Sequence, residues 1–186
     1  MKIGRSFGTQ IAAHKVEPNA HALSVITIDA DKDWQGYSIT NFKLLELIHC
    51  GGIRLEDTLA DDLCWSGIII EGTAGEDLAQ FETVYRKSDE KYWLAKADDA
   101  ATMPVAAMAL EAISADATGK FLLYGWIRND AWSLTAGSPA YQSAATAGQV
   151  TTTIPEASGN QVQRVGMALT DVIAHFNPMY TVFEIT

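Results

Sequence analysis

Two stretches of this chain contain the same tripeptide: VAAMALEAI at 105–113 and VGMALTDVI at 165–173. Each places Met-Ala-Leu after a step of small residues and before an isoleucine. The first stretch is rich in alanine, so a helix is the alternative structure for it. The second contains Gly166 and β-branched residues, which favour a strand. If the two stretches share one structure, both are strands.

A shift of 59 positions superposes the first Met-Ala-Leu on the second. The same shift places Phe121 on Tyr180 and Trp126 on Ile185, so residues 180–185 are expected to be the closing strand of a second copy. Two copies are too few for a solenoid, but each can cover the apolar face of the other. Chance similarity between β-hairpins is the alternative to a true duplication.

Turn residues separate short β-branched and aromatic runs along most of the chain, a pattern typical of all-β proteins. The segment SGIII at 66–70 predicts a buried strand, residues 81–94 predict a hairpin, and residues 58–63 predict a short helical turn. The fold class is therefore mainly β: a compact β-sandwich or barrel-like knob of two related β units, preceded by an extended N-terminal arm. The expected divisions are an N-terminal docking arm at 1–30, linking strands with a short helical turn at 31–67, and the β knob at 68–186.

The composition excludes several classes of partner. A net charge of −10 and an isoelectric point near 4.7 would repel a phosphate backbone or an anionic membrane surface. The longest apolar runs, such as FLLYGWI at 121–127, are far too short to span a bilayer. The first 18 residues lack the continuous apolar region of a secretory signal, so synthesis in the cytoplasm is expected.

Few residues form a pattern with chemical meaning. His49, Cys50 and Cys64 are soft metal ligands, but their spacing matches no standard zinc site, and both cysteines are expected to be free and buried. His175 is expected in a turn. Carboxylates cluster in residues 29–33, 57–62 and 98–99, where solvated turns are expected, because the first cluster lacks the glycine and the distal glutamate of a calcium loop.

The sequence shows no nucleophile-elbow, dinucleotide-binding or phosphate-loop motif. The prediction is a noncatalytic protein without a metal or cofactor. A small hydrolase that uses two facing carboxylates is the alternative, since a sequence does not show which carboxylates meet in space.

The chain resembles a β domain of tailed-bacteriophage virion proteins over about residues 68–186. The pattern of such domains is G-x-x-V-Y-x-S, G-x-x-T, P, G-x-x-V-Q-x-V-G-x-A and NP, and here Ala140 stands where a β-branched residue usually precedes the tyrosine. In addition, DKDWQGYSITNFKLLEL at 31–47 is similar to the linking segments of phage fibres. The matching residues are Gly137, Tyr141, Ser143, Gly148, Thr151, Pro155, Gly159, Val162, Gln163, Val165, Gly166, Ala168, Asn177 and Pro178.

The resemblance implies a noncatalytic virion structural protein, located in the particle after synthesis in the host cytoplasm. A capsid decoration (cement) or head-fibre protein is favoured, because the chain is short for a complete tail fibre. Its implied partners are the major capsid protein and further copies of itself in a homotrimer. The alternative is a tail-fibre or receptor-binding domain whose Trp and Tyr side chains hold a host surface glycan.

The residues expected to make these contacts lie near the N-terminus, where the charge balance is positive over the first 22 residues. Those expected to dock on the capsid are Lys2, Ile3, Arg5, Phe7, Ile11 and Lys15. Those expected to pack in the core or the trimer are Trp34, Tyr37, Ile39, Phe42 and Leu44.

Overall fold

In the described part of the chain, residues 52–186 of a computed structural model, the regular secondary structure consists almost entirely of antiparallel strands, which turns and irregular segments connect. One turn of 3-10 helix, Ala100–Thr102, is the single helical element in this range. The predicted mainly β fold is therefore confirmed, and the main sheet curls into a half-barrel. The strands are β1 (Trp65–Thr73), β2 (Thr83–Arg86), β3 (Tyr92–Leu94), β4 (Ala107–Ala109), β5 (Thr118–Arg128), β6 (Pro139–Gln142), β7 (Val150–Thr151), β8 (Gln161–Val162), β9 (Arg164–Ala168), β10 (Ile173–Phe176) and β11 (Phe183–Glu184).

The long strand β5 organises the main sheet. One of its edges pairs with β1 over almost the whole length of both strands. Its other edge pairs with β4 at residues 121–122 and with β10 at residues 125–128. Two groups of strands therefore extend from the same edge of β5, one from each half of the strand.

A bulge at Leu123 joins the two halves of β5. The pairing with β1 shifts there, since Tyr124 lies opposite Ile68 while Leu122 lies opposite Ile69. An inserted residue exchanges the faces of a strand from that point on. Leu122 and Ile127 consequently enter the same core, although an odd number of positions separates them.

The order of strand pairing occurs twice. β2 lies between β3 and β4, and β4 pairs with β5; likewise β6 lies between β7 and β9, and β9 pairs with β10. The two Met-Ala-Leu segments supply the equivalent strands β4 and β9, so their prediction as strands is confirmed. Their methionines differ, because Met108 is buried in the core whereas Met167 is half-buried on the other face of the sheet.

The prediction of the second closing strand is wrong. β10 closes the second group, whereas residues 180–185 contribute β11, which forms a separate two-stranded sheet with β8. The cause is the length of a loop: residues 110–117 connect β4 to β5, but the shorter segment 169–172 connects β9 to β10.

Hydrophobic clusters fill both sides of the first group of strands. Side chains alternate along β4, so Met108 belongs to a cluster on the inner side of the sheet. Ala107 and Ala109 belong to a second cluster on the other side, which also contains Tyr92 and Phe121. The second cluster is covered because the sheet curls until Tyr92 of β3 meets Ala74, just beyond β1. The inner cluster consists of Phe81, Ala95, Ala97, Met103, Val105, Met108, Leu110, Leu122, Ile127, Ala140, Val165 and Phe176.

Two fully buried glutamines hold the halves of the domain together. Gln142 accepts a hydrogen bond from the Thr83 hydroxyl and donates to the carbonyl of Ala95 at 2.8 Å. Gln163 accepts from the Val105 N–H at 2.7 Å and donates to the Val105 carbonyl at 3.1 Å. The Gln163 amide thus replaces a neighbouring strand for the backbone of Val105.

Two local predictions are wrong for reasons of tertiary structure. The segment at 66–70 is a strand but not a buried one: Ile68 is 55% exposed and Ile69 39% exposed, because β1 lies at the edge of the sheet. Residues 58–63 form no helix; the Asp62 carboxylate instead accepts from the N–H groups of Leu63 and Asp130, each at 2.8 Å.

Candidate functional site: the outer face of the sheet

A row of side chains crosses the sheet where β1, β5, β10, β9 and β6 run side by side. Residues directly opposite each other project to the same side of a sheet. In the order of the strands, the row is Ser66, Trp126, His175, Met167 and Pro139. Beside it, Ile68 lies opposite Tyr124. These seven residues are here called the outer face.

The seven residues of the outer face include no acidic or basic side chain other than the imidazole of His175. Arg128, two positions beyond Trp126 on the same side of β5, borders them. Ile68 and Tyr124 are 55% and 38% exposed, and Trp126 and Met167 are half-buried. An uncharged apolar area on an otherwise charged protein is typical of a surface that contacts another molecule.

His175 lies at the centre of the row and not in the turn that the sequence predicted. Its ring is 4.4 Å from that of Trp126 and 4.8 Å from that of Tyr124, measured between centroids, and the Tyr124 contact is edge-on. Its Nε2 is buried and has no hydrogen-bond partner among residues 52–186. Burial lowers the pKa of His175 below its ordinary value, which favours the neutral imidazole.

The contacts of His175 provide no catalytic chemistry. A general base must be within hydrogen-bond reach of a nucleophile or a substrate proton, and is usually oriented by a third group. In the described range no hydroxyl or carboxylate is hydrogen-bonded to the ring; its neighbours are aromatic. The side chain instead packs as part of the aromatic surface.

Glycines on the opposite side of the sheet set the spacing of these strands. A Cβ on Gly166 would lie 2.0 Å from the carbonyl oxygen of His175, and one on Gly125 would lie 2.3 Å from that of Ser66. Phe176 lies opposite both glycines and fills the inner side between them. Gly125, Gly166 and Phe176 on the inner side therefore set the distances between the strands that carry the row.

Apart from the outer face, the described residues also form a cleft of about 360 Å³ between the second half of β1 and the β2–β3 turn. Its lining carries both signs of charge, with Arg86 and Lys91 against Glu71, Asp89 and Glu90. Lys91 is bound to Asp116 at 2.5 Å, and this hydrogen bond raises the pKa of the Lys91 ammonium. The mixed charges of the open cleft point to no single class of ligand.

The predicted chemical candidates do not meet in the described structure. Cys64 is free, as expected, but is half-buried instead of buried, while His49 and Cys50 lie outside the described residues. Asp99 caps the 3-10 turn by accepting from the Ala101 N–H at 2.9 Å, and Asp98 pairs with Lys96 at 2.5 Å. Residues 52–186 contain no group of three or more His, Cys, Asp or Glu side chains arranged to hold a metal ion.

The residues predicted to dock on a capsid or to pack in a trimer all lie outside the described range. They are Lys2, Ile3, Arg5, Phe7, Ile11, Lys15, Trp34, Tyr37, Ile39, Phe42 and Leu44. Sequence reasoning missed the outer face, although Tyr124 and Trp126 stood in the FLLYGWI run as a signal. The alternation of that run assigns them to one face, but does not show that the face is uncovered.

Several residues that carry the resemblance have structural roles. Gly137, Gly148 and Gly159 have positive φ angles of 76°, 73° and 85°, which favour glycine. The Ser143 hydroxyl accepts from the Thr146 N–H at 3.1 Å, and Gln163 bonds the backbone of Val105. At these positions the shared pattern describes turns and core contacts.

No protein-family model, curated protein or solved structure matches this chain. Within the part of the chain that the structure describes, no helix is long and apolar enough to cross a membrane.

Proposed function

We propose that the protein is a noncatalytic structural protein of a tailed-phage virion, a capsid decoration or head-fibre protein attached to the outer shell. The resemblance over residues 68–186 and the mainly β fold support this proposal. The observation that carries it is the outer face: an uncharged apolar area on an acidic protein, suited to a macromolecular partner.

The docking site on the knob is the outer face, which contacts an apolar area of the major capsid protein. Attachment buries Ile68 and Tyr124 of the outer face, which are 55% and 38% exposed in the free protein. Burial of apolar area supplies the favourable free energy, and binding to the assembled shell adds to its stability by mass action. The N-terminal arm at 1–30 remains the anchor that the sequence predicts, and the outer face is proposed here as a further contact.

Co-sedimentation with purified cognate capsids tests the proposal. Tyr124→Lys places a charge in the outer face, and we expect about tenfold weaker binding or more, because an ammonium must lose its water in the interface. Ile154→Lys is the matched control, since Ile154 is 42% exposed and lies outside the outer face. Failure of the wild-type protein to bind capsids, or equal binding by Tyr124→Lys, would contradict the proposal.

A second candidate function is glycan binding by a tail-fibre or receptor-binding domain. The observation that favours it is the pair of rings of Tyr124 and Trp126, since aromatic side chains with one exposed side commonly serve as recognition surfaces. A glycan array distinguishes the two functions. A cement protein gives no hits, whereas hits that Trp126→Ala abolishes would establish the glycan-binding function.

A further inference from the structure

A segment without regular secondary structure lies against one end of the outer face. This segment, residues 53–63, is here called the strap. Within it, the Glu56 N–H donates to the hydroxyl of Ser66, the first residue of the row, at 2.9 Å. The side chain of Leu59 is 5% exposed, so it is turned toward the knob and away from solvent.

Arg128 makes the main attachment of the strap. It projects from β5 to the same side of the sheet as the row, because side chains alternate along a strand. Its Nη1 donates to the Leu59 carbonyl at 3.0 Å and to the Ala60 carbonyl at 2.8 Å. Its Nε and Nη2 donate to the Asp130 carboxylate at 2.7 Å and 3.2 Å, which fixes the guanidinium. The strap therefore lies over the outer side of the sheet, at the Ser66 end of the row.

The strap has few other attachments. None of its hydrogen bonds to the rest of the described chain joins backbone to backbone, so side chains alone hold it on the knob. It also contains four carboxylates and one arginine, in a chain whose net charge is −10. A segment with few backbone bonds and with like charge on both sides opens locally at a low cost in free energy.

We propose that the strap is a releasable cover that limits how much of the outer face a partner can contact. Its release uncovers the Ser66 end of the row and the surface against which Leu59 is buried. A partner that needs this larger area binds only molecules with an open strap, so its apparent affinity is reduced by the open fraction. This role rests on the proposed function of the outer face, whereas opening of the strap does not require a capsid.

Chymotrypsin cleavage of the full-length protein after Leu59 measures opening, because a buried site is cleaved only when its segment is released. Arg128→Gln removes charge-assisted bonds to the strap, so we expect the cleavage rate to rise at least about tenfold. Ser66→Ala removes only the bond from Glu56 and should raise the rate less. Mass spectrometry identifies the cleaved bond, and far-UV circular dichroism confirms that each variant is folded.

Arg86→Gln is the matched control for the loss of an arginine. Arg86 is exposed on strand β2 of the same sheet and makes no listed bond to the strap, so this variant should be cleaved at the wild-type rate. Wild-type cleavage rates in both Arg128→Gln and Ser66→Ala would overturn the inference, whatever the capsids do.

Co-sedimentation with cognate capsids tests the consequence for binding. Arg128→Gln should bind at least about threefold more tightly than wild type, because a larger fraction of its molecules has an open strap. Equal or weaker binding would show that the strap does not cover the contact surface. If neither protein binds capsids, the proposed function is contradicted, and the cleavage rates still decide whether the strap opens.

Discussion

At the scale of single residues, buried polar side chains specify how the domain is assembled. Gln163 and Gln142 are each fully buried, and both amides bond to the backbone. The Ala95 carbonyl, which accepts from Gln142, also accepts from the Gly148 N–H. The Gln163 amide bonds both the N–H and the carbonyl of Val105, and a buried backbone group without a partner costs free energy, so Gln163 provides what an additional strand would provide elsewhere. His175 differs, since its Nε2 is buried without a partner among the described residues.

Replacement of Gln163 by leucine should destabilise the domain by about 2–4 kcal/mol, because it leaves buried carbonyl and N–H groups unpaired. The buried groups are the N–H and carbonyl of Val105, and the part-buried carbonyl of Met179, which now accepts at 2.7 Å, also loses its donor. Urea denaturation measures the change. Gln80→Leu is the control, since the half-buried Gln80 makes one solvent-exposed bond, to the carbonyl of Leu63 at 3.2 Å. Equal stability of the two variants would show that Gln163 is not essential for assembly.

The stability conferred by His175 should depend on pH. Its folded-state pKa is lowered by burial, while the unfolded chain regains a pKa of about 6.5. Well above this pKa the His175 imidazole is neutral in both the folded and the unfolded state. As the pH falls below it, the unfolded state takes up the proton first, so stability is lost until the pH reaches the folded-state pKa.

The difference in unfolding free energy between wild type and His175→Gln isolates this effect from that of the carboxylates. As the pH falls from about 7.5 to about 5.5, the wild type should lose stability relative to His175→Gln, because the histidine of the unfolded wild-type chain becomes charged in this range. A shift in the opposite direction would mean that the Trp126 ring stabilises the imidazolium cation more than burial destabilises it.

At the scale of strands, the close approach of backbones decides which pairs form. Gly166 of β9 lets β10 approach closely and Gly125 of β5 lets β1 approach closely, while Phe176 lies opposite both glycines. The bulge at Leu123 also shapes the sheet, because it reverses which side of the sheet the following residues of β5 face.

Gly166→Ala should separate β9 from β10 and destabilise the domain by about 3 kcal/mol or more, in the range of overpacked cores. The reason is steric, since the new Cβ would lie 2.0 Å from the His175 carbonyl oxygen, so one of the two paired backbones must shift. Thermal denaturation measures the loss. Gly52→Ala, where nothing lies within 4 Å, should leave the midpoint unchanged. A variant as stable as wild type would mean that the two strands separate at little cost.

At the scale of the whole molecule, net charge and apolar area act in opposite directions. A charge of −10 keeps acidic molecules apart, whereas the apolar outer face favours contact. The proposed capsid contact uses this area, whose seven residues include no carboxylate.

The sequence alone determined the fold class and many of the local elements. The Met-Ala-Leu segments were predicted as strands because Gly166 and the β-branched residues around the second one disfavour a helix. The hairpin at 81–94 was predicted from the polar turn between two aromatic runs, and the structure places β2 and β3 there. These signals are local, since alternation and turn residues act within a few positions of the chain.

The tertiary structure decided which faces and edges remain open. Met108 and Met167 occupy equivalent strands yet face opposite sides, because a shift of one residue exchanges every side chain of a strand. The exposure of Ile68 follows from the position of β1 at the edge of the sheet, and that position depends on the order in which distant segments pair. The outer face exists because five strands that span residues 65–176 align in register, and no local pattern contains that information.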